Sequence, residues 1–590
     1  MGASGCSAHV LASLRTRSSS VELQSESWQP WKSAVQNPTE RVKSTLATAG
    51  HGYYRRKLSW SRQVPSIRYA AAPTGSLRWK APRLPASQNN APITSAVVAG
   101  PICPQAYPSV PGVPFIPGNE DCLFLNVFAP ASAQGLPVLV WIHGGGYGLG
   151  DASQDMTEII NANNKGFIVV SIQYRLGAFG FLASSEVKKR GVVNAGILDQ
   201  AFALSWVKQF ICKFGGDPLT VTISGESAGA SSVMYHGIAA DGQLGTLLFD
   251  KSIAASPYLP FQYGYGDAVP TSNSGDVFAC LESKDSDTLQ QANFDVTQQA
   301  TYGYWAFWPV TDEVYITDRA SLQLGAKRVN GRKLLVGHSA NEGPLFAPPT
   351  IVTESDLTGW LQLEFPNLSS AQISSIFAAN PNAAATSPGP LFETDGIGAG
   401  YTNAVNVSQD ANGQQQRGNN IYAEATFVCP SYWMAAAYSR GGPNAAYHYQ
   451  YSVPFAFHGA DVAAYIGPAG ANLGSDFALA FRRAWGNFIT TGNPSISNAV
   501  ANGASAANVS AANAASAWPA WSEAQPSLVN LNQTGGTPYQ LVTQWGVSVT
   551  QFAQPGLRNA ISVVANANAW EGGRGDRCAF YKSLAPSIPA

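Results

Sequence analysis

Residues Val221-Thr222-Ile223-Ser224-Gly225-Glu226-Ser227-Ala228-Gly229 decide how the rest of the chain is read. The first four form a short β-branched run, the pattern of a buried strand, and the small residues around and after Gly229 suit a helix. Between them lies Gly-x-Ser-x-Gly, which on its own recurs by chance in a chain this long. A strand that enters this motif and leaves as a helix is more specific. Glycine at both flanks lets a tight turn close, and the Ser227 hydroxyl then stands exposed above a sheet at a helix N-terminus. The plainer alternative is a serine in an ordinary strand–helix turn.

Working outward, Trp141-Ile142-His143-Gly144-Gly145-Gly146 closes a second apolar strand, Val138–Ile142. A glycine run lets the backbone turn its N–H groups toward a developing oxyanion, each donor worth about 3–4 kcal/mol in a transition state. It precedes the serine motif, which is the order such a site requires. Further strand-like runs, Phe167–Tyr174 and Lys333–Gly337, alternate with helical stretches such as Ile197–Phe214. That alternation predicts an α/β fold with a mostly parallel sheet and helices on both faces.

A nucleophilic serine needs a base, and chain order in such folds runs Ser, acid, His. The seven histidines are His9, His51, His143, His236, His338, His448 and His458. His9 and His51 lie in an atypical N-terminal stretch, His143 belongs to the glycine loop, and His236 follows Ser227 too closely. His448 sits inside a strand-like run, Ala446–Val453, where a structural histidine is expected. His458 follows that strand in a loop, Phe457-His458-Gly459-Ala460-Asp461, and is the expected base. The expected acid is Glu342, just after Lys333–Gly337, where it would hold the imidazole tautomer that accepts the serine proton. Asp461 and Asp312 are the weaker alternatives.

These motifs, with Tyr69-Ala70, Glu120-Asp121-Cys122, Asn194-Ala195-Gly196 followed by Asp199-Gln200, and Phe214-Gly215-Gly216-Asp217-Pro218, resemble the type-B carboxylesterase/lipase family, which includes cholinesterases and fungal esterases. The resemblance runs from about Ser66 to Tyr581. It implies an α/β-hydrolase fold, carboxylic ester hydrolysis through an acyl-serine, a small-molecule ester as partner, and no metal or other cofactor. The family's oxyanion donors map onto the amides of Gly145, Gly146 and Ala228. Its first disulfide maps onto Cys103 and Cys122, which implies an oxidising, extracellular setting.

Departures from the family pattern are also expected. The opening strands are missed before Ser66, the segment 258–280 looks shortened, and Cys280 lacks its usual partner. Cys429 and Cys578 are left as a possible pair, and Cys212 is read as a buried free thiol. Residues 1–65 are Ser-rich and basic, with no apolar stretch of signal-peptide length, and read as a disordered tail or a wrongly assembled coding sequence. Residues 66–590 form the enzyme domain. The run Ala499–Ala517, rich in Ala, Asn and Ser, reads as a surface loop. Sequons stand at Asn367, Asn406, Asn508 and Asn532.

The loop 104–121 carries Pro104, Pro108, Pro111, Pro114 and Pro117, so it cannot form the amphipathic helix that a lipase lid needs. Its aromatics are Tyr107 and Phe115, with no tryptophan to stack on a quaternary ammonium. Short- to medium-chain or aromatic esters fit best. The alternatives are a lipase acting on longer acyl glycerides and a non-catalytic adhesion or binding protein. Retention of Ser227, Glu342 and His458 weighs against the last.

Composition excludes other classes. The 590 residues hold 35 Lys plus Arg against 36 Asp plus Glu, so no basic face for nucleic acid is expected. With 45% apolar residues and 15 Trp the chain has ample core, which rules out global disorder. No run of about 18 apolar residues provides a membrane span.

Overall fold

Strand alternation in this chain divides its apolar side chains between two cores, one on each face of a single sheet. In the strand Leu136–Ile142, Val138, Val140 and Ile142 enter one core, while Leu139 and Trp141 enter the other. The strand Ile168–Ile172 divides likewise, with Ile168, Val170 and Ile172 opposite Val169. Period-two alternation that is apolar on both faces is what a central strand covered by helices on each side must show. Each such branched side chain contributes about 1.5–3 kcal/mol on burial. The computed structural model describes residues 62–85, 100–260, 262–266, 276–382, 391–394, 403–543, 546–585 and 587–588.

Among the described residues, ten strands run in chain order: β1 (Arg62–Arg68), β2 (Phe124–Ala129), β3 (Leu136–Ile142), β4 (Ile168–Ile172), β5 (Gly216–Glu226), β6 (Lys251–Ala255), β7 (Lys333–Ser339), β8 (Ala445–Tyr451), β9 (Leu528–Val542) and β10 (Ser548–Val564). They order as β1-β2-β4-β3-β5-β6-β7-β8-β9-β10. From β4 through β9 every neighbouring pair is parallel, and β1, β2 and β10 add antiparallel edges. Parallel strands all present their carboxyl ends on one side, so the segments that leave β3, β5, β6, β7 and β8 converge there.

Helices cover both faces. Ala195–Phe210 and Ala228–Ile238 pack into one core, and Ser475–Thr491 brings Phe477, Phe481, Trp485 and Phe488 into the other. Trp485 stacks on Tyr465 at 3.9 Å and meets Trp141 at 6.5 Å. Among the described residues, no helix is long and apolar enough to cross a membrane.

Several expectations are corrected. An opening strand is present: β1 begins at Arg62, earlier than Ser66, and pairs with β2. Cys212 is half-buried and disulfide-bonded, not a buried free thiol, and its partner falls outside the described residues. A short apolar flank on a helix end did not distinguish a packed thiol from a bridged one. Cys103–Cys122 and Cys429–Cys578 are disulfides, whereas Cys280 is exposed and free. The run Ala499–Ala517 lies on the surface but is anchored by Ala501 and Ala515, both fully buried. Most of residues 1–65, with Cys6, His9 and His51, and part of 258–280 lie outside the described residues.

The recurring polar motifs build framework. Arg175 pairs with Asp199 at 2.8 Å and Arg78 with Glu120 at 2.6 Å, both buried. Gln200 Oε1 accepts from His236 Nε2 at 3.0 Å. Behind β7 and β8, Ser431 bridges His338 and His448, each at 3.0 Å, and Gln450 and Glu571 continue the network. Burial pushes His448 down to about 3, so it stays neutral in the folded chain. The unfolded chain takes up that proton below about pH 6.5, so the stability His448 contributes is intact above that pH and is lost as the pH falls toward 3. The midpoint penalty of His448→Gln, scanned at fixed heating rate, is therefore greatest near pH 7.5 and shrinks toward pH 5. A penalty that grows with acidity would contradict this reading.

Candidate active site

The serine motif folds as the turn its glycines allow. Ser227 adopts φ 57° and ψ −125°, a strained conformation for a side-chain-bearing residue that costs about 1–3 kcal/mol. A Cβ on Gly225 would lie 2.3 Å from the Gly229 backbone, and one on Gly229 would lie 2.1 Å from Ile142 O. Glycine is thus required at both flanks for the elbow to seat against β3. The serine backbone is pinned on both sides, with its N–H on Ala255 O at 3.0 Å and its carbonyl accepting from Ser231 N at 3.0 Å and Tyr258 N at 3.3 Å.

Glu342 and His458, which are 116 residues apart, meet at the ends of β7 and β8. His458 Nδ1 and Glu342 Oε2 are 2.6 Å apart. The second Glu342 oxygen accepts from Ser256 Oγ at 2.7 Å and Ser339 N at 2.6 Å. Glu342 is fully buried, so these donors fix the carboxylate in one orientation. His458 Nε2 has no hydrogen-bond partner, and the structure does not join it to the Ser227 hydroxyl by such a bond.

The glycine run lies beside the elbow. Gly145 and Gly146 have φ of 103° and 58°, and Gly145 O accepts from Gly148 N at 3.0 Å and Leu149 N at 2.9 Å. Ala228 is the first residue of its helix, where an N–H has no acceptor within the helix. His143 supports the loop: it stacks on Tyr174 at 4.4 Å and its Nδ1 is 2.9 Å from Gly144 O, while burial pushes it down to about 4.

Of the alternative acids, Asp312 accepts from the amides of Val314, Tyr315 and Ile316 and from Asn194, which makes it a turn-former away from His458. Asp461 is fully buried near His458 but makes no hydrogen bond through either carboxyl oxygen. Its burial and the charges of Glu226 and Glu342 hold it well above the usual carboxylate range.

Glu226 was missed as a site residue because the motif treats its position as free. Its Oε1 lies 3.3 Å from His458 Nε2. Burial raises its carboxyl to about 7, with Glu342 adding to the rise and His458 opposing it. A carboxylate between a buried strand and a nucleophile was itself a signal, since burying it is costly without a partner. For His458, burial alone would lower the basicity, but Glu226, Glu342 and Asp461 together raise it above its ordinary value.

The arrangement holds a hydroxyl on a strained turn, an imidazole oriented by a buried carboxylate, and amides on an adjoining glycine loop. A family model described as the carboxylesterase family matches residues 56–544. The chain is 34% identical over 361 residues to Lipase 4 of Diutina rugosa, a match covering 54% of this chain and 65% of that protein. It is 32% identical to the para-nitrobenzyl esterase of Bacillus subtilis, over 51% of this chain and 63% of that one. The match to these curated relatives thus spans just under two thirds of their lengths. Among solved structures, Aspergillus niger EstA is similar with a TM-score of 0.67 and 26% identity, covering 90% of this chain and 96% of that one.

An imidazole must be neutral to take a proton, so with His458 as the proposed base kcat/KM is expected to fall as the pH drops through its raised value, above the ordinary 6.5. Glu226→Gln removes the foremost charge that raises it and moves the acid limb to lower pH. A limb unchanged in the variant would mean that Glu226 does not act on His458.

Proposed function

The chain belongs to the carboxylesterase family, and from that premise we propose that it is a serine carboxylic ester hydrolase acting on short- to medium-chain or aromatic esters. The observation that carries this reading is the Glu342–His458 contact at 2.6 Å beside the strained Ser227 elbow. Ser227 Oγ bonds to the ester carbonyl carbon as its proton passes to His458 Nε2. The carbonyl oxygen becomes an oxyanion that the amides of Gly145, Gly146 and Ala228 receive, each worth about 3–4 kcal/mol. His458 returns the proton to the leaving alcohol, the C–O bond breaks, and an acyl-serine remains. Water then attacks the acyl carbon, gives its proton to His458, and releases the acid and Ser227.

The lid argument favours an esterase over a lipase. The loop 104–121 contains no helix and is tied down along its length. Ala106 N donates to Gly148 O at 2.7 Å, Ser109 N to Tyr304 O at 2.8 Å and Gly118 N to Gln290 Oε1 at 2.8 Å. Swinging it away from the site would break all three bonds, each worth about 0.5–1.5 kcal/mol net, with no apolar helix to meet an oil surface. Hydrolysis of p-nitrophenyl butyrate should fall at least about 1,000-fold in Ser227→Ala. In the parent chain the rate should show no jump when a glyceride substrate passes its solubility limit. Undiminished turnover in Ser227→Ala sinks the assignment of the nucleophile, and a jump at the interface restores the lipase alternative.

The Cys103–Cys122 and Cys429–Cys578 disulfides support an oxidising compartment, and secretion is the proposed location. Asn367, Asn406 and Asn508 are exposed, whereas Asn532 is 4% exposed with its Nδ2 donating to Thr394 O at 3.2 Å. Secreted from a eukaryotic host, the active protein should carry glycans at the first three and none at Asn532. Peptide mapping that finds a glycan on Asn532 would overturn this placement.

A further inference from the structure

A run of three glycines has little conformational preference of its own, yet two of its amides must point at one spot to receive an oxyanion. Gly145 N and Gly146 N donate no backbone hydrogen bond among the described residues. That leaves them free for the task, and it leaves the placement of the loop to other groups. Inside the loop, Gly145 O accepts from Gly148 N and Leu149 N, which closes a turn but does not anchor it to the rest of the site.

The anchor is the indole of Trp305, which spans the loop. A Cβ on Gly146 would lie 2.3 Å from Cε3 and Cζ3 in its six-membered ring, and one on Gly148 would lie 2.2 Å from Cδ1 in its five-membered ring. Two residues without side chains therefore let the ring reach the loop backbone. Trp305 Nε1 donates to Ala106 O at 2.9 Å, and Ala106 N donates in turn to Gly148 O at 2.7 Å. Beside them the Gln105 amide brackets Gly150, accepting from its N at 2.8 Å and donating to its O at 3.1 Å. Trp305 is itself held. It is 8% exposed, and on its N-terminal side Ser109 N donates to Tyr304 O at 2.8 Å and Gly303 N to Ser109 O at 2.9 Å. Its ring lies 6.3 Å from that of Tyr258, whose N donates to Ser227 O. One side chain thus joins the glycine loop, the loop 104–121 and the segment that pins the serine turn. A ring that only limited the size of the acyl group would need neither the bond to Ala106 nor the seat on two glycines.

We propose that Trp305 is a positioning residue for ester hydrolysis: seated on Gly146 and Gly148 and bonded to Ala106, it keeps the Gly145 and Gly146 amides aimed at the oxyanion. The proposal rests on the serine hydrolase reading and adds to it a side chain that acts through the backbone of the glycine loop. Misplacing a reacting group by about 1 Å costs about 100-fold in rate, and losing one oxyanion donor costs about 100- to 1,000-fold.

Substrate series and a transition-state analogue test it in the full chain. Trp305→Ala should lower kcat/KM for p-nitrophenyl acetate, butyrate and hexanoate by about 100-fold, with the three factors agreeing within about threefold. Propyl trifluoromethyl ketone matches the butyryl ester. Its carbonyl carbon bonds to Ser227 Oγ, the serine proton passes to His458, and the carbonyl oxygen is left as an oxyanion for the loop to receive. Its inhibition constant should rise by the factor by which kcat/KM for the butyrate falls, because both read binding of the transition state. An inhibition constant does not depend on the fraction of folded enzyme, so a merely structural loss would leave it where it was. Trp305→Phe keeps an aromatic ring but loses the donor to Ala106; it should fall between the parent and Trp305→Ala, and it stands in if the alanine variant does not fold. A loss that changes with acyl length makes Trp305 a wall of the acyl site and overturns the proposal. So does an unchanged kcat/KM, or a fall in kcat/KM with the ketone bound as tightly as before. Silence of the parent toward every ester and toward the ketone instead fails the hydrolase reading, and the role of Trp305 with it.

Discussion

At the elbow, a side-chain-bearing residue is held at φ 57° and ψ −125° because two neighbouring glycines allow strand and helix to close against β3. The strain is local and the support is not. Ala255 at the end of β6 receives the Ser227 N–H, Tyr258 donates to the Ser227 carbonyl, and Ile142 at the end of β3 sits where any Cβ on Gly229 would fall. Each of these contacts exists only if β3, β5 and β6 are parallel neighbours in register. The sheet is thus the condition for the turn, and the turn aims the hydroxyl.

Around that hydroxyl the electrostatics are unusually concentrated. Three buried acids, Glu226, Glu342 and Asp461, surround one histidine. Only Glu342 is satisfied by dedicated donors, Ser256, Ser339 and the imidazole. Burial and the Glu342 charge push up both Glu226 and Asp461, and Glu226 adds to the rise at Asp461, so both lean toward neutrality. This division lets one carboxylate orient the imidazole while the others tune its basicity without adding three full charges to a dry site.

The walls of the site follow from loops that the sheet merely launches. The proline-bearing loop 104–121 is bonded to the glycine loop and to the segment around Tyr304, and Trp305 lies against Gly146 and Gly148 while its Nε1 donates to Ala106 O. The aromatic wall then continues through Tyr258, Phe346, Tyr422 and Phe427 to Glu364. These residues come from segments far apart in the chain, and their polar ends are brought together only by packing.

What the chain order itself determined is the set of local features. A β-branched run ending in Gly-x-Ser-x-Gly, a strand ending in three glycines, and a histidine just beyond a strand each carry a backbone requirement that short-range chemistry dictates. Strand positions are legible for the same reason, since period-two apolar runs have few other uses. Chain order and a strand-end position already favoured Glu342 over Asp312 and Asp461, and packing adds the carboxylate's 2.6 Å approach to His458 Nδ1. Tertiary packing alone decided the place of Glu226 beside His458, the Cys429–Cys578 bridge across 149 residues and the bonded state of Cys212. Such pairings depend on through-space distances of a few ångströms between residues tens to hundreds apart, and no local pattern encodes them.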